Sequence, residues 1–501
     1  MSWKAITPGV YERPLGDLEK SMLPAALIHA REVYSREPNL VHTVVDFSIP
    51  CEGPQVAVAL REGWKALRLL KSPDIATTYQ NRQPEGVKQY RAVTAEELEA
   101  WAQQTLLELP PGQTVHSAIA NMRLLPDWLP FCYLLPKDRA GDGVFHGQLI
   151  LCISHWRTEA TGCLQLLHHL LRFTTDLLPG AESSTYNSLA QHVPGSEVNL
   201  LSPSLEEVVM PGERPTSSDA QQRVDADYAR FYAAQPSINF ASLTPLRGIP
   251  SHIRLHQRIY TQQTTNQLLA RCKAHAITVS AAIHTAYLAA VWQLADPSTR
   301  SRSYAGMMPA QIRSRLAPTS ALHDQGAWSP AQQLLITLKA PSKDSNNPAQ
   351  FVARAQTVRQ QYQRVREPDW LYADQRAITA ARVHYFASSG GDTSVMPWFS
   401  SLGPLDQGLF PAVIGAFRIH NFACWSDFLS AGITLMVWTH DGMLSLQAFW
   451  NAAFHADDQI RQTLDVVEGV LGDGLGGGWP RRRSTGLIVS SCRPCTKSMH
   501  R

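Results

Sequence analysis

A histidine and an acid four residues apart, His155 and Glu159, stand where a β-rich run gives way to a helical pattern. These residue types suit acyl transfer to a hydroxyl. The attacking oxygen must lose its proton to a base, and neutral imidazole, with an unperturbed pKa of roughly 6.5, can take it near neutral pH. The ring must be held in one orientation and one tautomer. A strand end followed by a sharp turn does that. A carboxylate four residues on can brace the turn by pairing with an arginine from elsewhere. Spacing alone is weak, because 18 histidines and 42 acidic residues produce such pairs by chance. His42 and Asp46 repeat it inside one continuous strand, with no turn after the histidine, and read as ordinary strand residues.

The elements around His155 follow from pattern. Gly147–His155 is apolar and β-rich and reads as a strand. Thr161–Phe173 has helical spacing, and Trp156–Ala160 is the turn between them. Upstream, Val41–Ile49 predicts a buried strand and 55–71 an amphipathic helix. Thr94 and Glu97 predict a capped helix start. Residues 203–250 are rich in Pro, Ser, Glu and Gln and read as a crossover, partly helical over 220–234. A strand is expected near 253–260 and a helix start at 261–266. Thr278–Trp292 is apolar all round, which predicts a buried helix. Ile433–Thr439 and Met443–Phe449 flank Asp441-Gly442, a hairpin signal. Asp457–Leu471 predicts a closing amphipathic helix. The Gly-rich, Arg-rich end has no packing pattern and is expected to be disordered.

Composition narrows the class. The chain has 501 residues, 44% hydrophobic and 17% charged, enough for two or three compact units. A net charge of +3 gives no basic face for nucleic acid. No run approaches the ~18 apolar residues of a membrane-spanning helix. The first residues do not read as a secretory signal. Eight scattered cysteines suggest buried thiols in a reducing compartment, so a cytoplasmic protein is expected. Cys492 and Cys495 form a lone C-x-x-C, and His168-His169 sits among leucines. Neither has the ligand set of a zinc site, and no metal is expected. No serine-hydrolase elbow, Walker A or dinucleotide fingerprint occurs.

The segment Cys152–Gly162 resembles the H-x-x-x-D-G motif of the CoA-dependent acyltransferase superfamily. That superfamily takes in chloramphenicol acetyltransferase, plant BAHD acyltransferases and peptide-synthetase condensation domains. The His-Trp-Arg-Thr run is most similar to the fungal trichothecene 15-O-acetyltransferase family. Tyr304–Pro318, with Arg313-Ser314-Arg315-Leu316, resembles the R-x-R-L stretch of plant relatives. Trp398–Leu405 resembles the S-x-L-G segment, and the 439–444 hairpin also matches. The resemblance covers roughly residues 25–470. It implies an α/β fold of two similar chloramphenicol acetyltransferase-like lobes, each a mixed sheet with helices, around a central tunnel. The expected division is 1–205 for the first lobe, 206–250 for the crossover, 251–475 for the second lobe and 476–501 for the tail.

The resemblance also implies roles. His155 is the general base. Glu159 is structural and pairs with an arginine, with Arg313 the first candidate and Arg315 the second. Trp156 is a candidate tunnel residue. Ser400 and Ser401 are candidates to contact the developing oxyanion. The implied reaction moves an acyl group, with acetyl the first expectation, from acyl-CoA to a hydroxyl of a fungal secondary metabolite of sesquiterpenoid or mycotoxin type. CoA enters as co-substrate, no cofactor is permanently bound, and a monomer is expected. Two other readings remain open. One is a condensation-like enzyme that takes its acyl group from an acyl carrier protein. The other is a repurposed tunnel that does no acylation. Three departures from the family stand out. Glu159 replaces Asp, and Ala160 replaces Gly. If Ala160 needs a positive φ, strain of about 1 kcal/mol or more is expected, with Gly162 supplying some of the freedom. The plant D-F-G-W-G motif is absent, with only Trp425-Ser426-Asp427-Phe428 as an echo.

Overall fold

The computed structural model describes residues 3–16, 18–20, 22–23, 39–80, 86–122, 129–137, 143–181, 183–209, 217–243, 253–313, 326, 331–341, 347–367, 396–428, 431–477, 482–485 and 489–490. Arg315, Arg481 and the Cys492–Cys495 pair lie outside them. Strands β1 (Lys4–Thr7) and β2 (Val10–Pro14) open the chain. The β-branched run forms β3 (Leu40–Ile49). Helix α1 (Gly53–Leu70) follows, started by a proline in its first turn, and buries Val56, Leu60, Trp64 and Leu67. After β4 (Thr78–Gln80) and β5 (Val87–Arg91), helix α2 (Ala95–Thr105) opens with the expected reciprocal cap between Thr94 and Glu97. Strands β6 (Leu106–Glu108), β7 (Phe131–Pro136) and β8 (Phe145–Ser154) lead to α3 (Ala160–Asp176). The crossover contains α4 (Ser218–Ala233), close to the predicted helix.

The second half opens with β9 (Ile253–Tyr260), α5 (Gln262–Ala274) and α6 (Val279–Leu294). Helix α6 is buried along most of its length, as an all-round apolar helix must be. Then come β10 (Tyr304–Gln311), β11 (Ala331–Leu338) and α7 (Pro348–Tyr362). Strands β12 (Trp398–Pro404), β13 (Val413–Ile414), β14 (Phe417–Ser426), β15 (Ile433–His440) and β16 (Met443–Asn451) follow, before α8 (Asp457–Gly474). Short strands β17 (Arg482–Thr485) and β18 (Val489–Ser490) come last. The predicted hairpin is β15–β16, with both turn residues at positive φ, Asp441 at 51° and Gly442 at 69°.

Two larger sheets organise the molecule. One runs β13-β14-β3-β8-β7-β6 and packs against α1 and α3. The other runs β12-β15-β16-β9-β17 and packs against α6 and α8. Leucines of α3 such as Leu166, Leu167, Leu170 and Leu171 are almost wholly buried, each contributing about 2 kcal/mol.

Two strands cross the division expected at 251–475. Strands β13 and β14 belong to the second half of the sequence but pair with β3 in the first sheet. That sheet would otherwise end on β3, and β14 covers its free backbone groups. The sheets meet along this strand. Phe422 packs on Trp438 with ring centroids 4.5 Å apart, and Gln257 donates to the Phe422 carbonyl at 3.2 Å. Two short pieces of the tail are extended. β17 and β18 pair with β9, whose unpaired edge accepts an extended segment without any side-chain periodicity.

Candidate active site

Strand β8 carries the chain to the site. It is buried, with β3 on one side and β7 on the other. The pairing continues one residue past its end, where the His155 N–H donates to the Asn39 carbonyl at 3.0 Å. The Arg157 N–H then donates to the Ser154 carbonyl, closing the turn. His155 is half-buried, and its Nδ1 lies 3.0 Å from the Thr158 carbonyl oxygen. A carbonyl only accepts, so Nδ1 carries the proton and neutral His155 presents its lone pair at Nε2. That is the tautomer a base acting through Nε2 requires.

Glu159 caps α3. Its Oε2 accepts from Thr161 N at 2.6 Å and its Oε1 from Gly162 N at 3.1 Å. Negative charge is favourable at a helix N-terminus. The same Oε1 accepts from Arg313 Nη1 at 2.5 Å and from Gln311 Nε2 at 3.1 Å. The first-choice arginine thus meets Glu159 from the other half of the chain, in a pair that is almost wholly buried. The extra methylene of glutamate is absorbed without losing the cap. Gln311 also fixes its neighbour, since its Oε1 accepts from Arg313 N at 3.0 Å.

The expected strain at Ala160 is absent. Ala160 is the first residue of α3, and positive φ outside glycine is confined among the described residues to Ala276 and Asp441. Gly162 is needed for room instead. A Cβ there would lie 2.1 Å from Thr158 Oγ1 and 2.3 Å from the Gly326 carbonyl oxygen.

Trp156, the tunnel candidate, is packed. It is 2% exposed and sits with Leu15 and Leu23, with the Arg157 guanidinium 4.5 Å from its ring centroid. Lys88 approaches the same ring at 5.8 Å. The polar cluster there escaped the sequence reading. Arg157 donates to the Thr77 carbonyl at 2.6 Å, Lys88 pairs with Asp74 at 3.2 Å, and Arg13 grips Glu19 with two bonds of 2.7 Å. Burial alone would raise the Glu19 carboxyl, but Arg13 and Lys88 outweigh it and hold it at about 2. The cluster draws on residues from Arg13 to Arg157, and Arg157 reaches Thr77 across 80 residues, so no local pattern announces it.

The two serines separate by face. Ser400 and Ser401 pair with Met436 and Val437 of β15. Val437 packs into the α6–α8 core and Met436 into the core that contains the first sheet. Ser401 points to the α6 side, where its hydroxyl meets that of Ser280 at 2.8 Å. Ser400 is on the face turned to the first lobe. The second H-x-x-x-D spacing dissolves. Asp46 pairs with Lys137, while buried His42 pairs through Nε2 with Asp427 at 3.1 Å and through Nδ1 with Cys152 at 3.2 Å. Asp427 belongs to the Trp-Ser-Asp-Phe echo, which was the available signal. Among the described residues no three His, Cys, Asp or Glu side chains cluster as metal ligands. No single described helix is long and apolar enough to cross a membrane.

No family model matches the chain. Curated relatives do. It is 25% identical over 488 residues to the O-acetyltransferase pigM of Monascus ruber, covering 94% of this chain and 87% of that one. It is 25% identical over 347 residues to azaphilone biosynthesis cluster protein M of Aspergillus terreus, covering 66% and 77%. Its fold matches the TRI3 trichothecene 15-O-acetyltransferase of Fusarium sporotrichioides with a TM-score of 0.78 at 12% identity, over 94% of this chain and 97% of that one. The chain is therefore similar over most of its length to fungal acetyltransferases, and it shares the two-lobed α/β fold of the trichothecene enzyme. The resemblance drawn from the His155 motif is borne out at that level.

Proposed function

We propose that this protein transfers an acyl group, acetyl first, from acyl-CoA to a hydroxyl of a fungal secondary metabolite, with His155 as general base. The supporting observation is the imidazole held at Nδ1 by the Thr158 carbonyl, at the end of β8. Nε2 takes the proton of the acceptor hydroxyl as its oxygen attacks the thioester carbonyl. The negative charge that develops on the carbonyl oxygen needs a donor. Ser400, on the lobe-facing side of β12, is the candidate. Collapse expels the CoA thiolate, which recovers the proton from the imidazolium. The ester and free CoA leave, and the histidine is again neutral. Glu159 and Arg313 do not touch substrate in this scheme. They hold the turn from which His155 projects. Both lobes come from one chain, so a monomer suffices. The names of the relatives suggest two acceptor classes, the trichothecene type and the azaphilone type.

The test is thiol release from acetyl-CoA with hydroxylated members of both classes, comparing wild type with His155→Ala. Release that requires acceptor and falls about 10²- to 10⁴-fold in the variant is the expected result. Release that survives the substitution overturns the role of His155. No release with any acceptor from acetyl-CoA, but transfer from a carrier-bound acyl group, replaces the donor and selects the condensation-like reading.

A further inference from the structure

Thr158 makes two bonds whose combination has a consequence for the base. Its carbonyl accepts from His155 Nδ1 at 3.0 Å. Its hydroxyl, on a side chain with no solvent exposure, donates to the carbonyl of Gly326 in a short hydrogen bond. Gly326 lies in sequence between β10 and β11, in the half of the chain that also supplies Arg313. Its backbone rests directly on the first turns of α3. A Cβ on Gly326 would come within 2.4 Å of Leu166 Cγ and 2.7 Å of the Gly162 carbonyl oxygen. The close approach therefore depends on two facing glycines, Gly162 and Gly326. Thr158 is thus anchored through its side chain to the second half, and through the next residue's carboxylate to Arg313.

We propose that Thr158 is the positioning residue that selects the tautomer of His155, and that it does so while Gly326 holds its hydroxyl. A carbonyl can fix a proton on Nδ1 only if it stays on the plane and distance of that nitrogen. The turn is held before Thr158 by the Arg157–Ser154 bond and after it by the Glu159 cap, and the peptide between those anchors can still rotate. The Gly326 bond removes that freedom. The base is thereby assembled only when the second half of the chain is docked on the turn. This inference rests on His155 being the base.

The experiment reads the tautomer directly. Long-range proton–nitrogen NMR of histidine-labelled protein separates Nδ1–H from Nε2–H rings. The His155 signal is the one missing from His155→Gln. In wild type, neutral His155 is expected as the Nδ1–H form. Thr158→Val, which keeps the branched shape and removes the donor, is expected to mix the two forms. It should lower kcat about tenfold with KM little changed, and move the acid limb of the rate to lower pH, because a held carbonyl favours the charged ring. Thr158→Ser is expected to keep the wild-type tautomer. Thr158→Ala serves as a second deletion should Thr158→Val fail to fold. An Nε2–H wild-type ring overturns the proposal without any variant. So does an unchanged Nδ1–H signal in a folded Thr158→Val or Thr158→Ala. The spectrum needs no substrate, so a wild type with the expected tautomer and no acyl transfer counts against the reaction and not against the positioning.

Discussion

Two histidines, one in each half of the chain, are treated in opposite ways. His155 is half-buried at a strand end, with a backbone carbonyl on Nδ1. His284 lies fully buried in the middle of α6, its ring 4.3 Å from that of Phe399 and nearly parallel to it. Tyr362 meets its Nδ1 at 2.7 Å, and its Nε2 has no hydrogen-bond partner among the described residues. Burial drives its pKa down to about 3, so it stays neutral throughout the working range of an enzyme. Both sit among aromatic and apolar residues in the sequence. What separates them is backbone: a histidine at a strand-to-helix turn can be aimed, whereas one inside an apolar helix is packed.

The largest expected effect breaks this contrast at its centre. His155→Ala should lower kcat by about 10²- to 10⁴-fold. Its unfolding midpoint in urea should stay near that of wild type, because the ring is half-exposed. The double variant His284→Phe/Tyr362→Phe should do the reverse. It removes both partners of a buried bond and one orphaned nitrogen, so stability is expected to change by less than about 1 kcal/mol while the rate holds. A rate collapse in the double variant would place His284, not His155, in the chemistry.

Next in size is the brace across the two halves. Arg313→Met leaves the Glu159 carboxylate with its helix-cap donors but without its buried cation. A destabilisation of about 3 kcal/mol is expected, read by urea unfolding. Glu159→Asp keeps the charge and shortens the reach, and should cost about 1 kcal/mol, chiefly through a longer contact to Arg313. If Glu159→Asp loses as much as Arg313→Met, the extra methylene is a requirement of this site, not an accommodation.

How much of this could be read from the chain depends on range. The β8–turn–α3 unit, the Thr94 cap, the buried α6 and the Asp441-Gly442 hairpin are local patterns, and each appears where its period or turn chemistry puts it. His155, Glu159 and Arg313 came from motif order, and the structure brings the last two together. What local reading misses are contacts between distant segments. The insertion of β14 beside β3 joins residues 370 or more apart. Thr158 meets Gly326 across 168 residues, and His42 meets Asp427 across 385. Trp156 looks like a tunnel residue by position, yet Leu15 and Leu23 cover it. Nothing in the His-Trp-Arg-Thr run encodes that cover.

The acid side of the comparison gives an effect confined to low pH, measurable without substrate. His284 has a folded pKa of about 3 against an ordinary 6.5. In acid the unfolded chain takes up this proton first. The contribution to stability is therefore complete above 6.5 and is lost progressively as pH falls toward 3. Unfolding free energies at stepped pH should show that loss in wild type, and the His284→Phe/Tyr362→Phe variant should lack this share of it. An unchanged slope would assign the acid sensitivity to other groups, Glu19 among them. Its depressed carboxyl contributes at a lower range, between 4.5 and about 2.

The smallest contrast is between adjacent serines, and it asks whether the face of a strand decides function. Ser401 spends its hydroxyl on Ser280 beneath α6. Ser401→Ala should therefore cost about 1 kcal/mol of stability and leave kcat alone. Ser400 sits one residue away on the lobe-facing side, next to Met436. If it donates to the developing oxyanion, Ser400→Ala should lower kcat about tenfold, which is about 1.4 kcal/mol of transition-state stabilisation, with little change in stability. Equal and small effects of both substitutions would remove Ser400 from the site and leave the oxyanion to a backbone donor. A kcat loss on the Ser401 side would mean that β12 is read in the wrong register against β15, because a slip of one residue exchanges the two faces.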